Sequence, residues 1–489
     1  MIAQAQRERI TSVAAAAAPF VLYAVTAHRF VGYWDIGEMD TVPFIAGIGH
    51  PPGLALYTMA GFGFSHLLAI GSVAFRMSLL SALCMSLASW CVYAIVRTLS
   101  RASIGALAAA LLFATGGIAW NIATRADVHA METACFAAAL LLWLRWYERP
   151  DPARLYPAAI ALGLAVAVHP IALFLLPAIV LLVIARLHET ETLPLALAAL
   201  YALLACALPA LYLPLRSAAV TAQHLDPVAA LGLPGGAFWD YGHPAVLANL
   251  KTLIFAGDVN VGGGLHGYAS DAFTLRVDTI VHRVVRQLGI VGLGIAAFGA
   301  WQLYRSKRGA AVALIVAAAG PAFFSAGFSD ESDPGRYLLP TLLVMSVLAG
   351  TAVASIARPR LRAVGTGLLA ALVLVALTAF PGRLWEASDR SALNDANAIL
   401  ARTPANAIVV ADWILAPPLA YRAYVDRATA NRTIVAAWYY EVGDMLPAWT
   451  AHRPVYIAGT PEGSVDGFRL ERLSTNPDLY RVEREAAQR

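Results

Sequence analysis

Residues 76–96 read RMSLLSALCMSLASWCVYAIV, an apolar run that is closed by Arg97. About 20 residues of α-helix are long enough to cross the hydrocarbon core of a bilayer, which is about 30 Å thick. The run therefore predicts a membrane-spanning helix. Similar runs recur along the chain, so this kind of segment decides the class of the fold.

The composition of the 489 residues points to the same class. Hydrophobic residues make up 59% of the chain and charged residues 13%, against about 25% charged residues in a typical soluble domain. This composition excludes soluble multi-domain, fibrous, disordered and nucleic-acid-binding proteins, and it predicts an integral membrane protein. The four cysteines all lie in apolar runs, so we predict buried thiols and no disulfide in an exported domain.

The basic residues between the apolar runs predict the topology. Cytoplasmic loops of membrane proteins carry an excess of Lys and Arg. If the N-terminus is inside, the basic clusters at 7–9, 97–101, 145–154, 186, 305–308 and 358–362 are all cytoplasmic. The other predicted spans lie near 11–28, 103–121, 128–146, 193–214, 288–304, 309–327, 338–357 and 363–380.

Two conditions make this topology consistent. The run 156–186 must form a hairpin of two short helices that turns outside at His169-Pro170, because Arg154 and Arg186 need the same side. The apolar stretch 53–70 must not cross. About eleven crossings follow, with the N-terminus inside, the C-terminus outside, and the first run retained as a helix rather than removed as a signal peptide.

Three regions are then exported: the loop 29–75, the loop 216–287 and the tail from about 383. In the tail, 407–412, 433–437 and 454–458 predict short buried strands, with helical patterns at 390–402, 414–425 and 441–451. We therefore predict an all-α membrane domain, residues 1–382, followed by a small extracytoplasmic α/β domain, residues 383–489.

The first exported loop carries three carboxylates within six residues, in the sequence YWDIGEMD at 33–40. Asp35 and Glu38 are three residues apart and face the same space if the segment is helical. Aromatic and apolar neighbours partly desolvate that space, so a carboxylate there could act as a general base. The alternative is an ordinary solvated acidic loop.

His50-Pro51-Pro52-Gly53 separates two amphipathic segments of the same loop. The two prolines stop the first helix, and the glycine admits a tight start to the next one, which carries Tyr57. His50 is then either a substrate-binding side chain or an exposed turn residue.

The order of these motifs resembles the lipid-phosphosugar-dependent glycosyltransferases of the GT-C fold. It is most similar to their protein O-mannosyltransferase branch, which comprises bacterial membrane proteins and a eukaryotic transmembrane enzyme that mannosylates receptor ectodomains. The motifs are Asp-x-x-Glu after the first helix, His-Pro-Pro-Gly with Leu-x-Tyr, Phe75-Arg76, and the segments 124–130, 163–169, 213–216, 239–244 and 333–340. They cover most of residues 10–380. Asp127-Val128-His129, where the family often has Glu-Val-Tyr, and the tail depart from the pattern.

The resemblance implies a polytopic helical domain of about 11 transmembrane helices with amphipathic juxtamembrane helices in the first exported loop. It also implies an inverting transfer of a hexose, most readily mannose, from a polyprenyl-phosphate donor to a hydroxyl group outside the inner membrane, with a protein Ser or Thr as the favoured acceptor. Asp35 is implied as the catalytic base, with Glu38 as its neighbour or the group that orients the acceptor. Such a base is needed because the acceptor oxygen must lose its proton as it attacks the anomeric carbon.

The leaving polyprenyl phosphate needs a fixed cation at the membrane face, and a bidentate guanidinium suits phosphate better than an ammonium does. The exported-side candidates are Arg76, Arg125, Arg216 and Arg336. We favour Arg216 and Arg336 because both adjoin proline-containing motifs at helix ends. Each of the four could instead anchor its helix by extending to lipid headgroups.

Asp127, His129 and His169 lie at the outer ends of their predicted helices. Ionisable residues at such positions are candidates for substrate binding around the same cavity. Taken singly, each is also explained as a hydrogen-bonded residue that satisfies a helix end.

No cofactor is firmly implied. A divalent metal could bind Asp35 with Glu38, or the acidic residues Asp330, Glu331 and Asp333. Neither group has the fixed spacing of a multi-ligand site, and transfer from a lipid monophosphate sugar can proceed without a metal.

Three alternative functions remain. A transporter would place ionisable residues near the bilayer midplane and show repeat symmetry, whereas here they gather at one face and no repeat is visible. The same chemistry could act on a lipid or glycan acceptor. A binding or assembly protein could keep the fold without activity. The predicted partners are thus the lipid-linked donor, an exported protein or glycolipid acceptor, and the bilayer.

Overall fold

The computed structural model describes residues 2–236, 239–255, 272–328, 334–461 and 465–485. The chain divides into two compact units. The first contains Met1–Ala27, Leu79–Ala210 and Val259–Trp385, and the second contains His28–Ser78, Leu211–Asp258 and Glu386–Arg489. The first exported loop thus groups with the tail, whereas the sequence placed it in the membrane domain. The domain boundary at 382/383 stays a prediction.

Helices of the apolar type predicted from the sequence build the first unit. They are Ile2–Val25, Val73–Ser100, Ser103–Thr115, Gly117–Ala123, Val128–Glu148, Pro152–Val168, Leu176–Ala185, Thr192–Ala210, Ala272–Ser306, Arg308–Gly327, Leu339–Ser355, Pro359–Leu377 and Phe380–Glu386. Short 3-10 turns lie at Pro170–Leu175, Leu187–Glu189 and Pro334–Leu338. All four cysteines are free thiols; Cys84 and Cys91 are buried, as predicted, whereas Cys135 and Cys206 are only partly buried.

Eight of the described helices are long and apolar enough to cross a membrane. A ninth span results if Ser103–Thr115 and Gly117–Ala123, bent by 69°, are taken together. Two shorter apolar helices, Pro152–Val168 and Pro170–Ala185, occupy the predicted hairpin, and the break between them lies at His169-Pro170. The protein is a multi-pass membrane protein, which confirms the predicted class. The eleven crossings and their direction stay predictions.

Small residues let these helices approach each other closely. A Cβ atom at Gly163 would collide with the backbone carbonyl of Ala202, so the helices Pro152–Val168 and Thr192–Ala210 pack backbone against backbone. Such contacts stabilise helix pairs in a membrane, where lipid offers no hydrophobic driving force between helices. Val73–Ser100 is 83% buried along its apolar window and Thr192–Ala222 only 6%, so the first is a central helix and the second a peripheral one.

The second unit combines short helices with a five-stranded sheet. Its helices are Trp34–Thr41, Ala55–Leu67, Tyr212–Ala222, Leu247–Ile254, Ser391–Arg402, Ala416–Ala420 and Leu446–His452, with 3-10 turns at Ala229–Leu231 and Tyr439–Met445 and a π-helical turn at Tyr421–Val425. Its strands are β1 Ile408–Ala411, β2 Thr433–Ala436, β3 Val455–Ala458, β4 Phe468–Thr475 and β5 Asp478–Arg484. The sheet order is β2-β1-β3-β5-β4.

The three parallel strands of this sheet are the three that the sequence predicted. β1 pairs in parallel with both β2 and β3, and every residue of β1 and β3 is buried. Strands covered on both faces have continuous apolar sequences, which made them visible in the sequence. The antiparallel hairpin of β4 and β5 was missed, because its strands have no continuous apolar sequence. Charged, exposed side chains lie between their apolar residues.

Candidate active site

The Trp34–Thr41 helix carries the three carboxylates of the first exported loop. Asp35 lies in its first turn, and Glu38 follows on the same face, as predicted. A Cβ at Gly37 would collide with the carbonyl oxygen of Gly32 and come within 2.8 Å of Pro417. The helix therefore packs closely against the Ala416–Ala420 helix, which fixes its position in the second unit.

Glu38 is fully buried and binds His50. The backbone N–H of His50 donates to one carboxylate oxygen of Glu38 at 2.8 Å, and the Nδ1 atom of its ring contacts the other. A buried carboxylate is tolerated when such partners compensate its lost hydration. His50 is therefore held by Glu38, and its side chain is only 26% exposed, so it is not an ordinary exposed turn residue.

Asp35 is held by a residue that the sequence did not indicate. The indole Nε1–H of Trp413 donates to Oδ1 of Asp35 at 3.0 Å. The Trp413 ring also meets the His50 ring edge-on, with centroids 6.0 Å apart. Trp413 lies two residues after the end of β1, and a tryptophan just after a buried strand is the one signal that could have marked it. Asp35, Glu38, His50 and Trp413 form what we call the loop cluster.

A turn follows His50, as predicted, but the preceding Trp34–Thr41 helix already ends ten residues before Pro51, so the two prolines do not stop it. The backbone N–H of Gly53 donates to the carbonyl of His50 at 2.8 Å. Gly53 has a φ of +87°, a conformation that glycine adopts without strain. The Ala55–Leu67 helix follows, and Tyr57 on it is buried, so the structure places Tyr57 in the packing of this helix.

Asp40, the third carboxylate of the loop, differs from Asp35 in its surroundings. It is 1% exposed and accepts the backbone N–H of Gly32 at 3.1 Å, while its Oδ1 atom meets no hydrogen-bond donor among the described residues. Burial raises the pKa of Asp40 well above its ordinary value. A carboxyl group that retains its proton is a poor base at neutral pH.

This difference predicts a pH effect on stability. Because the folded state holds the Asp40 proton while the unfolded chain releases it, the free energy of unfolding should fall as the pH rises from the ordinary carboxyl pKa of 3.8 towards the raised pKa. Asp40→Asn removes this group, so the thermal midpoint of the variant should drop less between pH 5 and pH 8 than that of the wild type. An equal drop in both proteins would show that Asp40 is ionised when folded.

Two of the predicted phosphate-binding arginines bind backbone carbonyls in the second unit. Arg76 donates to the carbonyls of Ser65, Ile70 and Gly71 at 2.9–3.2 Å, which closes the chain after the Ala55–Leu67 helix. Arg216 donates to the carbonyl of Ala46 at 2.6 Å and to that of Ile45 at 3.3 Å. Both side chains thus hold the first exported loop in shape, and their binding of phosphate stays a prediction.

The remaining predicted site residues cluster in the first unit. The guanidinium of Arg125 donates twice to Asp127, at 3.1 Å, and Asp127 accepts the backbone N–H of His129 at the start of the Val128–Glu148 helix. The rings of His129 and His169 lie 4.6 Å apart. Arg336 stacks over Tyr337, whose ring meets His129 edge-on; Tyr337 was not predicted as a site residue.

A cavity of about 300 Å³ adjoins the loop cluster in the second unit. Trp413 lines it together with Asp240, Tyr241, His243 and Glu441. His243 binds the buried carboxylate of Asp240 at 3.0 Å, and this hydrogen bond raises the pKa of His243. Among the described residues the lining contains no Lys or Arg, so the cavity suits a neutral or cationic ligand better than a phosphate.

The loop cluster also has ligands that a divalent cation accepts. Asp35, Glu38 and His50 each offer one ligand atom, and these atoms lie within 4.8 Å of one another. Two carboxylates and an imidazole are common ligands of Mn²⁺ and Zn²⁺. Both oxygens of Glu38 are already engaged by His50, however. The second predicted metal group, Asp330, Glu331 and Asp333, lies outside the described residues.

Comparisons with known proteins agree with this description. Residues 35–192 match the family model described as the protein O-mannosyl-transferase TMEM260 N-terminal domain. The protein O-mannosyl-transferase tmem260 of Dictyostelium discoideum is 30% identical over 131 residues, which are 26% of this chain and 16% of that protein. The protein O-mannosyl-transferase TMEM260 of Mus musculus is 30% identical over 214 residues, 42% of this chain and 30% of that protein. The chain thus matches less than a third of either relative's length.

Solved structures share the fold over nearly the whole chain. The crystal structure of ArnT from Cupriavidus metallidurans bound to undecaprenyl phosphate superimposes with a TM-score of 0.63 at 14% identity and covers 97% of this chain and 98% of that one. Its apo form gives a TM-score of 0.58 at the same identity and covers 97% of both chains. The predicted GT-C fold is confirmed, and so is the resemblance to the O-mannosyltransferase branch over residues 35–192.

Proposed function

We propose that this protein is a membrane glycosyltransferase that moves a hexose, mannose in the first instance, from a polyprenyl phosphate to a hydroxyl group of an exported protein. The observation that carries this proposal is the loop cluster, which holds an oriented carboxylate inside the segment that matches the O-mannosyltransferase family. The undecaprenyl phosphate bound to ArnT, which shares the fold, supports a polyprenyl-phosphate donor. The site faces the outer side of the inner membrane.

Asp35 is the catalytic base of the proposed reaction. Its carboxylate takes the proton of the acceptor hydroxyl as the oxygen attacks the anomeric carbon of the sugar. The bond between that carbon and the phosphate oxygen breaks, and its electron pair leaves with the polyprenyl phosphate. Attack opposite to the leaving group inverts the anomeric configuration. General-base catalysis of this kind contributes about 10²–10⁴ to the rate.

Trp413, Glu38 and His50 are positioning residues in this mechanism. The indole N–H of Trp413 fixes the carboxylate of Asp35, and a fixed base avoids the entropy cost of orienting the reacting groups. Glu38 fixes His50, whose ring contacts Trp413. The side chains of the cluster therefore hold one another in position.

The cavity beside Trp413 favours a protein acceptor over an anionic glycolipid. A phosphorylated glycolipid would bring negative charge next to Asp240 and Glu441, where the described lining offers no Lys or Arg and where His243 is already bound to Asp240. A polypeptide segment is neutral along its backbone, and its side chains could pack on Tyr241 and Trp413. We place the acceptor hydroxyl at this cavity.

The assay that tests the function uses the full chain in detergent or nanodiscs with radiolabelled polyprenyl-phosphate mannose. A Ser/Thr-rich peptide and an anionic glycolipid serve as competing acceptors, and label is expected in the peptide. Parallel reactions in EDTA test the divalent cation, since we expect transfer to persist there. Loss of transfer in EDTA with recovery in Mn²⁺ would instead assign a metal to Asp35, Glu38 and His50. Label in neither acceptor would contradict the proposal.

Arg216→Lys tests the proposed contact with the donor phosphate. Lys keeps the charge but loses the bidentate geometry, so the apparent KM for the donor should rise about 10-fold, which corresponds to one charged hydrogen bond of about 1.4 kcal/mol. The KM for the acceptor should not change. Because Arg216 also holds the carbonyls of Ile45 and Ala46, the thermal midpoint is measured alongside. Equal changes in the KM for the donor and the KM for the acceptor would contradict the phosphate contact and would mean that Arg216 only holds the carbonyls of the first exported loop.

A further inference from the structure

A second cavity, of about 530 Å³, lies in the first unit and is strongly basic. Its charged lining residues are six cations and one carboxylate: Arg97, Arg101, Arg145, Arg149, Arg154, Lys307 and Glu148. The excess of positive charge around one space is costly unless an anion compensates it, because like charges at such short range repel one another. This basic cavity has no part in the proposed transfer reaction.

Three of the six cations have carboxylate partners. Lys307 binds Glu148 at 2.7 Å, Arg154 binds Asp151 at 3.1 Å, and Arg97 binds Glu8 at 2.8 Å.

The guanidinium groups of Arg101, Arg145 and Arg149 form no ion pair with any carboxylate of the described chain. Arginines at helix C-termini also interact favourably with the helix dipole, which explains one or two such residues. It does not explain why three unpaired guanidinium groups converge on one cavity.

The position of the cavity indicates what kind of anion fits. It lies where two apolar helices end, since Arg97 lies in the last turn of Val73–Ser100 and Arg145 in the last turn of Val128–Glu148. Both helices are long and apolar enough to span a membrane. Ile104, three residues after Arg101, is 50% exposed and provides an apolar surface for an acyl chain. Basic pockets between membrane helices bind the headgroups of anionic lipids.

We propose that the basic cavity binds the headgroup phosphate of an anionic phospholipid, with Arg101, Arg145 and Arg149 as its main ligands. Guanidinium groups bind phosphate oxygens in pairs of parallel hydrogen bonds. The volume of about 530 Å³ compares with about 30 Å³ for a water molecule in the liquid, so the cavity admits a glycerol phosphate together with its hydration shell. The bound lipid tethers the ends of these helices at their predicted cytoplasmic side.

The test is a binding titration of the full chain in neutral detergent with fluorescent phosphatidylglycerol. Unlabelled phosphatidylglycerol, phosphatidylcholine and inorganic phosphate are the competitors. Arg145→Gln with Arg149→Gln should weaken binding about 30-fold, because each cation near a lipid surface contributes about a factor of five. Arg358→Gln with Arg360→Gln is the matched control, since it removes two exposed arginines from another basic loop, and it should leave binding unchanged.

Each outcome decides the proposal. Phosphatidylglycerol should compete, phosphatidylcholine should not, and the affinity should fall between 50 mM and 500 mM NaCl because salt screens the contact. Equal loss in both double variants would mean a non-specific charge effect, and competition by inorganic phosphate as strong as that by phosphatidylglycerol would mean a site for free anions; either result overturns the proposal. If the Arg145/Arg149 variant does not fold, the single exposed variant Arg101→Gln must weaken binding about five-fold, and unchanged binding overturns the proposal.

Discussion

Asp35→Asn should lower the turnover of sugar transfer about 10²–10⁴-fold while the protein stays folded. The amide keeps the shape of the side chain, and its oxygen can still accept the hydrogen bond that the indole Nε1–H of Trp413 donates to Oδ1 of Asp35 at 3.0 Å in the wild type. It is too weak a base to take the acceptor proton. The measurement is kcat at saturating donor and acceptor, with the thermal midpoint of the same sample as the check on folding.

Two matched controls make this result specific to Asp35. Asp40→Asn removes a carboxyl group five residues further along the same helix, and burial raises the pKa of that group. Asp466→Asn removes an exposed carboxylate from a loop of the tail. Both should retain turnover within about a factor of three of the wild type, a difference of less than 1 kcal/mol in the barrier. If Asp35→Asn turns over at the wild-type rate, or if Asp40→Asn is the inactive variant, the base has been assigned to the wrong residue.

Asp127→Ala should destabilise the first unit by about 3–5 kcal/mol, since deleting one partner of a buried pair leaves the other charge poorly solvated. The side chains of Asp127 and Arg125 are only 6% and 13% exposed. Asp127 also accepts the backbone N–H of His129 and so caps the Val128–Glu148 helix, an interaction that contributes about 1 kcal/mol by itself. The free energy of unfolding in mixed micelles measures the combined loss.

The chain offers a close control for this variant. Asp151 caps the next helix, Pro152–Val168, and pairs with Arg154, but these side chains are 43% and 39% exposed. Asp151→Ala should therefore cost only about 1 kcal/mol, mostly from the lost cap. Similar losses for the two variants would show that burial does not strengthen the Asp127 pair. Asp127→Asn, which keeps the cap but not the charge, should lie between them.

Local patterns in the sequence predicted much of the molecule. Apolar runs of spanning length located the helices of the first unit, because a membrane-spanning helix must be apolar along its whole length. Continuous apolar segments located β1, β2 and β3 for a similar reason, since both faces of these strands are covered. Hydrophobicity at this scale is a property of the segment itself and needs no knowledge of its partners.

The sequence predicted only the part of the candidate site that lies within one helix and the turn after it. Asp35 and Glu38 share a face because of helical periodicity, and the proline-proline-glycine motif placed the turn after His50. The roles of Arg76 and Arg216 were harder to predict. Both have the type of side chain that binds phosphate, yet the structure shows that their guanidinium groups hold backbone carbonyls of the first exported loop, and sequence does not reveal which acceptor a guanidinium meets.

The sequence by itself thus determined the membrane class, the helical framework, the buried strands of the tail and the helix that presents Asp35. Only the tertiary structure decided that Glu38 faces His50 and that Trp413, 378 residues further along the chain, orients Asp35. It also decided that three arginines converge on one basic cavity without a carboxylate partner in the described part of the chain. The physical reason is the range of the interactions. Periodicity reports contacts within a few residues, whereas a hydrogen bond between distant segments exists only after packing has brought them together, and no single segment encodes it.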